Sequence, residues 1–581
     1  MKYLLAENGE PYFHITAHQY AGEGTRHAAS ELQKYLLKST GAAFPYFSDR
    51  CGRRGPEIRI GENVRGHQSD LSALTDEGFR IFGDGEDLCI TGKTDRAVLY
   101  GVYRFLERYC GFYCFSKDAE VIEKRERLEI GEPDILENPA FAYRESYFRD
   151  AFDGGFAVKN RLNGTMSDLS SRNGGKIKWF NLHHAFRDLV QPELYFDTHP
   201  EYFSLVDGKR TQNGQLCLSN PDVLKIAKAT LRRWIRENPA CTVFSVAQND
   251  NMGYCTCPAC AAVDAEEGCP QGSILRFVNA LADDIAKDYP DVRLHNFAYH
   301  YSTTAPRITV PRPNVIIRLC NISCRFDMPF ETLAAENPAG EEAAFVNNLA
   351  DWGRVSSSLH VWSYCVNFKN YLLPFFHFHA LAENFRMYRR VGVTGVFEEG
   401  NFAYGGGASM DDLKSFLIGR LLWNPDEDVD SLIDRYLRGV YGEASGKILR
   451  EYIDLYEAAC CAHPLRIYLS PDAPNYSDAL ADAGLAIFDR ALAAAENETF
   501  AARIRREQLA VRFLHLARLP MDAPGREAAI LQFIDDVKAN GITEIIERQG
   551  ITACRNIMLA SQYLKDRSPE LGTHTLYYIM Q

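Results

Sequence analysis

A chain of 581 residues with 46% hydrophobic and 24% charged residues has the make-up of a folded globular protein and excludes a disordered or collagen-like one. At roughly 100–200 residues per domain, it holds about three or four domains, or one large domain with additions. Sixty-four Lys and Arg against 77 Asp and Glu give a net charge of −13, which argues against nucleic-acid and anionic-membrane partners. The apolar piece Tyr3–Ala6 is too short for the core of a signal peptide. No run of about 20 apolar residues could span a bilayer. The expected setting is therefore the cytoplasm. The 16 Cys are scattered, mostly inside apolar runs such as Val315-Ile316-Ile317-Arg318-Leu319-Cys320, as buried reduced thiols would be.

In chain order, residues 1–135 read as a small α/β domain. Residues 28–38 form an amphipathic helix ended by Gly41, and 57–61 a strand. Residues 78–82 and 88–91 are two strands joined at Gly83-Asp84-Gly85, a hairpin signal. Apolar residues recur at helical spacing over 96–109: Val98, Leu99, Val102, Tyr103 and Leu106. Glu132-Pro133-Asp134 and Asn138-Pro139 mark a linker.

From 140 to 425, short apolar strands alternate with helices. Strands are expected over 143–148, 177–182, 215–218, 242–247, 293–299, 315–320, 359–364 and 394–397. Helices are expected over 223–236, 273–289, 341–352, 378–391 and 412–422. Eight strands over this length predict a (β/α)8 TIM-type barrel, with a doubly wound open sheet as the alternative; either way the class is α/β. From 426 to 581, helices are expected over 429–440, 447–461, 476–496, 500–517 and 526–538, and no strand. This predicts a helical C-terminal domain.

In a barrel, chemistry sits at the C-terminal ends of the strands, so the residues after each apolar run are the candidates. Arg149 follows the first run, and His183 and His184 the second. Asn249 and Asp250 follow the fourth, Tyr299 and His300 the fifth, and Asn321 the sixth. Trp362, Tyr364 and Asn367 mark the seventh, and Glu398 and Glu399 the eighth. No phosphate-cradling Gly loop, nucleophile elbow or HExxH motif accompanies them. Cleaving a glycosidic bond takes two carboxyl groups, one to protonate the leaving oxygen and one to act as base or nucleophile. Asp250 is the expected general acid, and Glu398 or Glu399 the second group. Adjacent strand residues point to opposite faces, so at most one of the two glutamates faces the barrel mouth. Glu398 is preferred, although parity by itself leaves both open. Tyr299, Trp362 and Tyr364 could stack on a pyranose, and His183, His184, Asn249, His300 and Asn367 could bind hydroxyls. Core packing and helix capping are the competing uses of such residues. Arg149 and Arg318 could hold the carboxylate of a uronic or sialic acid.

Cys255-Thr256-Cys257-Pro258-Ala259-Cys260 follows the fourth strand. This CxCxxC spacing converges three thiolates locally, a metal signal. Cys217 and Cys269 are both candidates for a fourth ligand. A closed four-thiolate site would hold a structural zinc; free thiols on a tight turn, or an iron–sulfur cluster, are the alternatives. His377-Phe378-His379 reads as the start of a helix, and His295 and His360 as residues of the barrel interior. No organic cofactor is expected.

The front of the chain resembles the non-catalytic N-terminal domain of alpha-glucuronidases and hexosaminidase-type hydrolases. The residues that carry this are Glu31-Leu32-Gln33-Lys34-Tyr35-Leu36, Gly78-Phe79-Arg80-Ile81 and Leu99-Tyr100-Gly101-Val102-Tyr103-Arg104-Phe105-Leu106-Glu107. Gln215-Leu216-Cys217-Leu218, Gln248-Asn249-Asp250, the CxCxxC segment, Trp362-Ser363-Tyr364 and Leu421-Leu422-Trp423-Asn424-Pro425 resemble the DUF4838 family of bacterial, glycoside-hydrolase-like proteins. Asn249-Asp250 departs from the Asn-Glu pair of retaining barrel glycosidases and from the Asp-Glu pair of substrate-assisted hexosaminidases, so neither mechanism transfers. The resemblance implies a glycoside hydrolase without fixing its substrate; the cytoplasmic setting favours exo-action on short oligosaccharides or glycoconjugates, with a uronic-acid or N-acetylhexosamine type sugar expected. A non-catalytic carbohydrate-binding barrel and a metal-dependent sugar lyase or isomerase using His184 and His300 are the alternatives. The partner is a carbohydrate, with no nucleic acid and no membrane; homo-oligomer formation stays open.

Overall fold

The computed structural model describes residues 2–560, so the last part of the expected helical region, 561–581, lies outside the described residues. The chain divides into two compact units. Among the described residues, the first comprises 2–176, 365–382 and 399–560; the second comprises Ile177–Tyr364 and Glu383–Glu398.

In the first unit, a mixed sheet runs in the order Asp134–Glu137, Phe79–Asp84, Asp87–Gly92, Glu57–Ile60, His14–Ala17, Tyr46–Ser48. The expected hairpin pairs Asp84 with Asp87, so the turn falls on Gly85-Glu86, with Gly85 at φ 63°. The helices Glu23–Thr40 and Asp95–Cys110 turn their apolar stripes inward, and the Thr94 side chain accepts the Ala97 N–H at the second helix's start. Glu107 on that helix is buried, which opposes its ionisation. Arg161 at 2.9 Å and Arg420 at 2.7 Å outweigh this and hold its carboxyl down at about 2.

The later part of this unit is helical: Val429–Tyr441, Glu443–Cys461, Asp478–Ala493, Glu498–Arg518 and Arg526–Ala539. The sequence predicts no strand here, yet Glu544–Ile546 and Gln549–Gly550 pair as a short antiparallel ribbon. Its pieces are too brief for a readable period-two pattern. His379 lies in the first turn of the helix Phe378–Val391. Hydrogen bonding to Glu457 raises its imidazole to about 9, against the pull of burial and with help from Asp430. His377, just before it, is lowered to about 3 by burial. Neither His377 nor His379 belongs to a gathered metal-ligand group among the described residues.

The second unit is built on a parallel sheet in the order Trp179–Phe180, Val243–Ser245, Arg293–Ala298, Val315–Cys320, Leu359–Tyr364, followed by Val393–Glu399. Amphipathic helices Pro221–Glu237, Gln271–Ile285 and Glu341–Val355 connect these strands, as the 3.6-residue periodicity predicts. Alternate strand residues turn to one face and pack there: Trp179, His295, Phe297, Arg318, His360, Trp362 and Phe397. The ring and cation contacts record this, including Trp362 on Phe397 at 4.0 Å and the Arg318 guanidinium over Trp179 at 4.1 Å. Burial, reinforced by the Arg318 charge, pushes the His295 and His360 imidazoles well down, so both are neutral core groups.

This layer leaves no room at Gly395, where an added Cβ would lie 2.6 Å from the His360 ring. Gly395→Ala is expected to cost about 1–3 kcal/mol by overpacking, read as a lowered midpoint in urea unfolding.

One expected strand is absent. Residues 215–218 form no strand; Leu216 makes a single antiparallel bridge to Phe203. Their apolar character serves burial in an irregular segment, where side chains rather than a sheet neighbour satisfy the adjoining backbone. The eight-strand reading is corrected accordingly. What stands is a mixed α/β protein with a parallel sheet, an N-terminal sheet region and a helical C-terminal part.

Candidate active site

Val243–Ser245 ends in a loop, 246–251, that carries Asp250, and the missing third strand supplies the loop's clamp. The buried Gln215 side chain donates from Nε2 to the carbonyls of Asn249 (2.8 Å) and Asn251 (3.0 Å). Its Oε1 accepts the Asn249 N–H at 2.8 Å. Asn249 is itself engaged at both ends of its amide: Oδ1 accepts the Arg187 N–H at 3.0 Å and Nδ2 donates to the Gly214 carbonyl at 2.9 Å. These bonds make Asn249 a holder of the loop. Gln248 adds a bond from Nε2 to the Ser302 hydroxyl at 2.7 Å. A glutamine that accepts and donates to one loop fixes its backbone as a strand neighbour would.

Asp250 stands at the end of this clamped segment with 30% of its side chain exposed. The His184 Nε2 lies 3.8 Å from its Oδ1. His184 follows the neighbouring strand and bridges in parallel to Ala247. Its Nδ1 lies 2.5 Å from the Gln248 carbonyl, an acceptor only, so Nδ1 carries a proton. Burial lowers the His184 pKa, with Asp250 pulling the other way. A neutral His184 therefore turns the Nε2 lone pair toward Asp250, 3.8 Å away.

Rings gather beside this pair. His184 is 5.1 Å from Phe297 and 5.9 Å from Tyr299, His183 is 5.7 Å from Trp362, and Phe297 is 5.5 Å from Trp362. His300 stacks at 3.8 Å on Tyr299 from a left-handed backbone (φ 53°), an uncommon conformation for a non-glycine residue. Tyr364 packs edge-on near Phe326 at 6.5 Å. Trp362, Tyr299 and Tyr364 are all largely buried, so most of their ring surface serves mutual packing. Arg318 is fully buried among Trp179, Trp362 and Phe397, within the sheet interior rather than at the strand ends.

Strand alternation separates the two glutamates. Phe397 lies with Trp362 and Arg318, and Glu399 shares its parity. Glu398 takes the opposite side and is fully buried. Its surroundings are Ser363, Asn321 and Tyr388, the last on the helix Phe378–Val391; Asn321 Nδ2 reaches both the Ser363 and the Tyr388 hydroxyls at 3.2 Å. Burial pushes the Glu398 carboxyl up to about 8, with the nearby Ser363 hydroxyl acting against it. The sequence preference for Glu398 at the mouth thus meets a glutamate turned toward the helix layer.

Glu399, Arg149 and Asn367 belong to the first unit. There, burial raises the Tyr147 phenol to about 12, with the Glu399 charge adding to it. Arg149 stacks over Tyr404 at 4.2 Å. Asn367 is buried and shapes its own loop, donating to the Leu469 carbonyl at 2.9 Å and accepting the Lys369 and Asn370 N–H groups.

Cys217, Cys255, Cys257 and Cys260 come together, with their sulfurs within 4.8 Å of one another. Cys269 donates instead to the Thr304 carbonyl at 3.3 Å. The other such group among the described residues is His67, Asp84 and Cys89 in the first unit; His184, His300 and Asp250 do not form one. Sequence reasoning missed Gln215 as the clamp, and it placed Asn321 at a strand end without its partners Ser363 and Tyr388; the signals were a polar residue inside an apolar run for Gln215 and Ser363 and none for Tyr388.

Comparison with known proteins agrees with the sequence resemblance. A family model described as a domain of unknown function, DUF4838, matches residues 114–454, and one described as the glycosyl hydrolase family 67 N-terminus matches residues 10–105. No curated protein matches the sequence. Similar solved structures include a GH138 enzyme targeting pectin rhamnogalacturonan II, at TM-score 0.45 and 11% identity, covering 95% of this chain and 99% of that one. CpGH84B is similar at TM-score 0.41 and 12% identity, covering 96% and 97%. No helix among the described residues is long and apolar enough to cross a membrane.

Proposed function

We propose that this chain, which belongs to the DUF4838 family, is a glycoside hydrolase, exo-acting on short oligosaccharides or glycoconjugates that end in a uronic-acid or N-acetylhexosamine type sugar. The observation that carries the reading is the Asp250–His184 pair, held on a clamped loop at the C-terminal end of a parallel strand. That is where barrel-derived sheets place their chemistry. The reading takes the sheet as a (β/α)8 barrel whose third strand has become the irregular 215–218 segment.

Asp250 gives a proton to the glycosidic oxygen as the bond to the anomeric carbon breaks, and His184, 3.8 Å away, positions it. The leaving sugar departs as an alcohol, and water supplies the hydroxyl at the anomeric carbon, its other proton passing to the second carboxylate. The second carboxylate is one of the two sequence candidates, Glu398 and Glu399; the packing of Glu398 on the helix side of its strand disfavours it, and the loss of activity on substituting each decides between them.

The test is hydrolysis of a panel of nitrophenyl glycosides, uronides and N-acetylhexosaminides included, by wild type, Asp250→Ala and Glu399→Ala. Release by wild type names the sugar, and a loss in Asp250→Ala that is large on the alkyl glycoside of that sugar and smaller on its nitrophenyl glycoside is the expected result. Undiminished hydrolysis of the alkyl glycoside by Asp250→Ala would remove it as the acid. Silence of the wild type across the panel, with the same sugars bound, would make the protein a carbohydrate-binding barrel.

A further inference from the structure

The four-cysteine cluster is not needed for glycosidic chemistry, and its geometry is specific. A tetrahedral zinc with Zn–S bonds of about 2.3 Å places its sulfurs about 3.8 Å apart. Here Cys217 Sγ lies 3.7 Å from Cys257 Sγ and 4.0 Å from Cys260 Sγ, and all four sulfurs fall within 4.8 Å of one another. A disulfide would need about 2.05 Å, and all four cysteines are free thiols. An ordinary apolar thiol cluster would not require four sulfurs to converge from two chain segments around one point.

The surroundings suit thiolates. All four cysteines are buried, with Leu205 packed against them. The Leu205 N–H donates to Cys255 Sγ at 3.4 Å, and the Arg210 guanidinium lies 3.7 Å from the same sulfur. Four thiolates and one divalent cation carry a net charge of −2, so a buried cluster of this kind needs N–H donors and a nearby cation, and both are present. Leu205 and Arg210 belong to the pieces Leu205–Val206 and Lys209–Arg210, which pair as a tight antiparallel ribbon. Cys257 immediately precedes the helix Pro258–Glu267, whose first residue is proline, so the loop enters the helix in a fixed direction.

We propose that Cys217, Cys255, Cys257 and Cys260 form a closed, structural Zn2+ site that fastens the 205–217 segment to the loop carrying Asp250. Four protein sulfurs fill the tetrahedron and leave no position for water or substrate, so this metal takes no part in bond cleavage. Its role follows from chain position. Cys217 lies two residues after Gln215, the residue that clamps Asn249 and Asn251, and Cys255 lies five residues after Asp250. The metal ties both sides of that clamp. It replaces the missing third strand by cross-linking the segment that would have formed it. Of the two sequence candidates for the fourth ligand, the site takes Cys217; the Cys269 thiol is committed to the Thr304 carbonyl.

The test uses the full chain and does not depend on any glycosidase activity. Metal analysis of purified protein, with release of metal by a mercurial followed by a colorimetric zinc indicator, should give one zinc per chain. Exchange with Co2+ should give the intense visible ligand-field and thiolate charge-transfer bands of tetrahedral cobalt. Cys217→Ser should lose the stoichiometric metal, whereas Cys269→Ser should keep it. Chelation of the wild type should lower the melting temperature by several degrees, and added Zn2+ should restore it. Should Cys217→Ser fail to fold, the zinc content and the cobalt spectrum of the wild type still decide. Protein that holds no zinc, takes up no Co2+ after reduction and melts unchanged under chelation would overturn the site. So would stoichiometric iron with a cluster spectrum, or metal retained in Cys217→Ser.

Discussion

Asp250→Asn is expected to lower kcat/KM about 10²–10⁴-fold on glycosides with alkyl or sugar leaving groups, the range a positioned general acid supplies. The loss should shrink on nitrophenyl and dinitrophenyl glycosides, whose leaving groups depart without protonation. The substitution keeps the shape of the side chain and its place on the clamped loop, so the Gln215 bonds to Asn249 and Asn251 persist. His184→Ala should give a smaller loss of the same kind, because His184 acts through Asp250, 3.8 Å away. Rates of both variants against leaving-group acidity are the measurement. A loss in Asp250→Asn that is equal across all leaving groups would assign Asp250 to substrate binding instead.

The second large effect is on stability. The Glu398 carboxyl stands at about 8 in the folded protein against 4.5 as its ordinary value, because burial disfavours its charged form. The unfolded chain therefore loses this proton near pH 4.5 and the folded chain keeps it to about pH 8. Between those values the folded state binds more protons than the unfolded state, and stability falls as pH rises, by about 1.4 kcal/mol per pH unit from this group alone. Glu398→Gln keeps a polar group beside Ser363 and removes the titration. The variant should unfold like the wild type near pH 4.5 and resist urea better at pH 8, with a flatter profile between. Urea unfolding of both proteins from pH 5 to 9 decides this. Parallel profiles would show that Glu398 is ionised in the fold. Hydrolytic activity retained by Glu398→Gln would agree with its place on the helix side of the strand.

The legible parts of the fold are those with long, regular periods. The helices Asp95–Cys110, Pro221–Glu237 and Val429–Tyr441 start and stop within two residues of where the apolar spacing predicts. The strands Val315–Cys320 and Leu359–Tyr364 fall at the predicted residues because short, mostly apolar runs suit a strand buried on both faces. The 215–218 run has the same look and is not a strand. An apolar run reports burial, and burial is reached equally well by a coil whose backbone is satisfied from outside. The short ribbon 544–550 carries too few residues to show any period.

The candidate site divides along the same line. Spacing alone brought Cys255, Cys257 and Cys260 together, because three thiols within six residues converge whatever the rest of the chain does. Choosing Cys217 over Cys269 required the fold, since a contact across some 40 residues depends on where the chain returns. The sequence determined that Glu398 and Glu399 lie on opposite sides of one strand, because side chains alternate along any strand. Which side each takes was decided only by packing: Trp362 and Arg318 against Phe397, and Tyr388 against Glu398. The sequence likewise placed Asp250 after a strand. Tertiary structure supplied His184 beside it and Gln215 to hold it, because local periodicity encodes the elements while side chains far apart in the chain meet only when those elements pack.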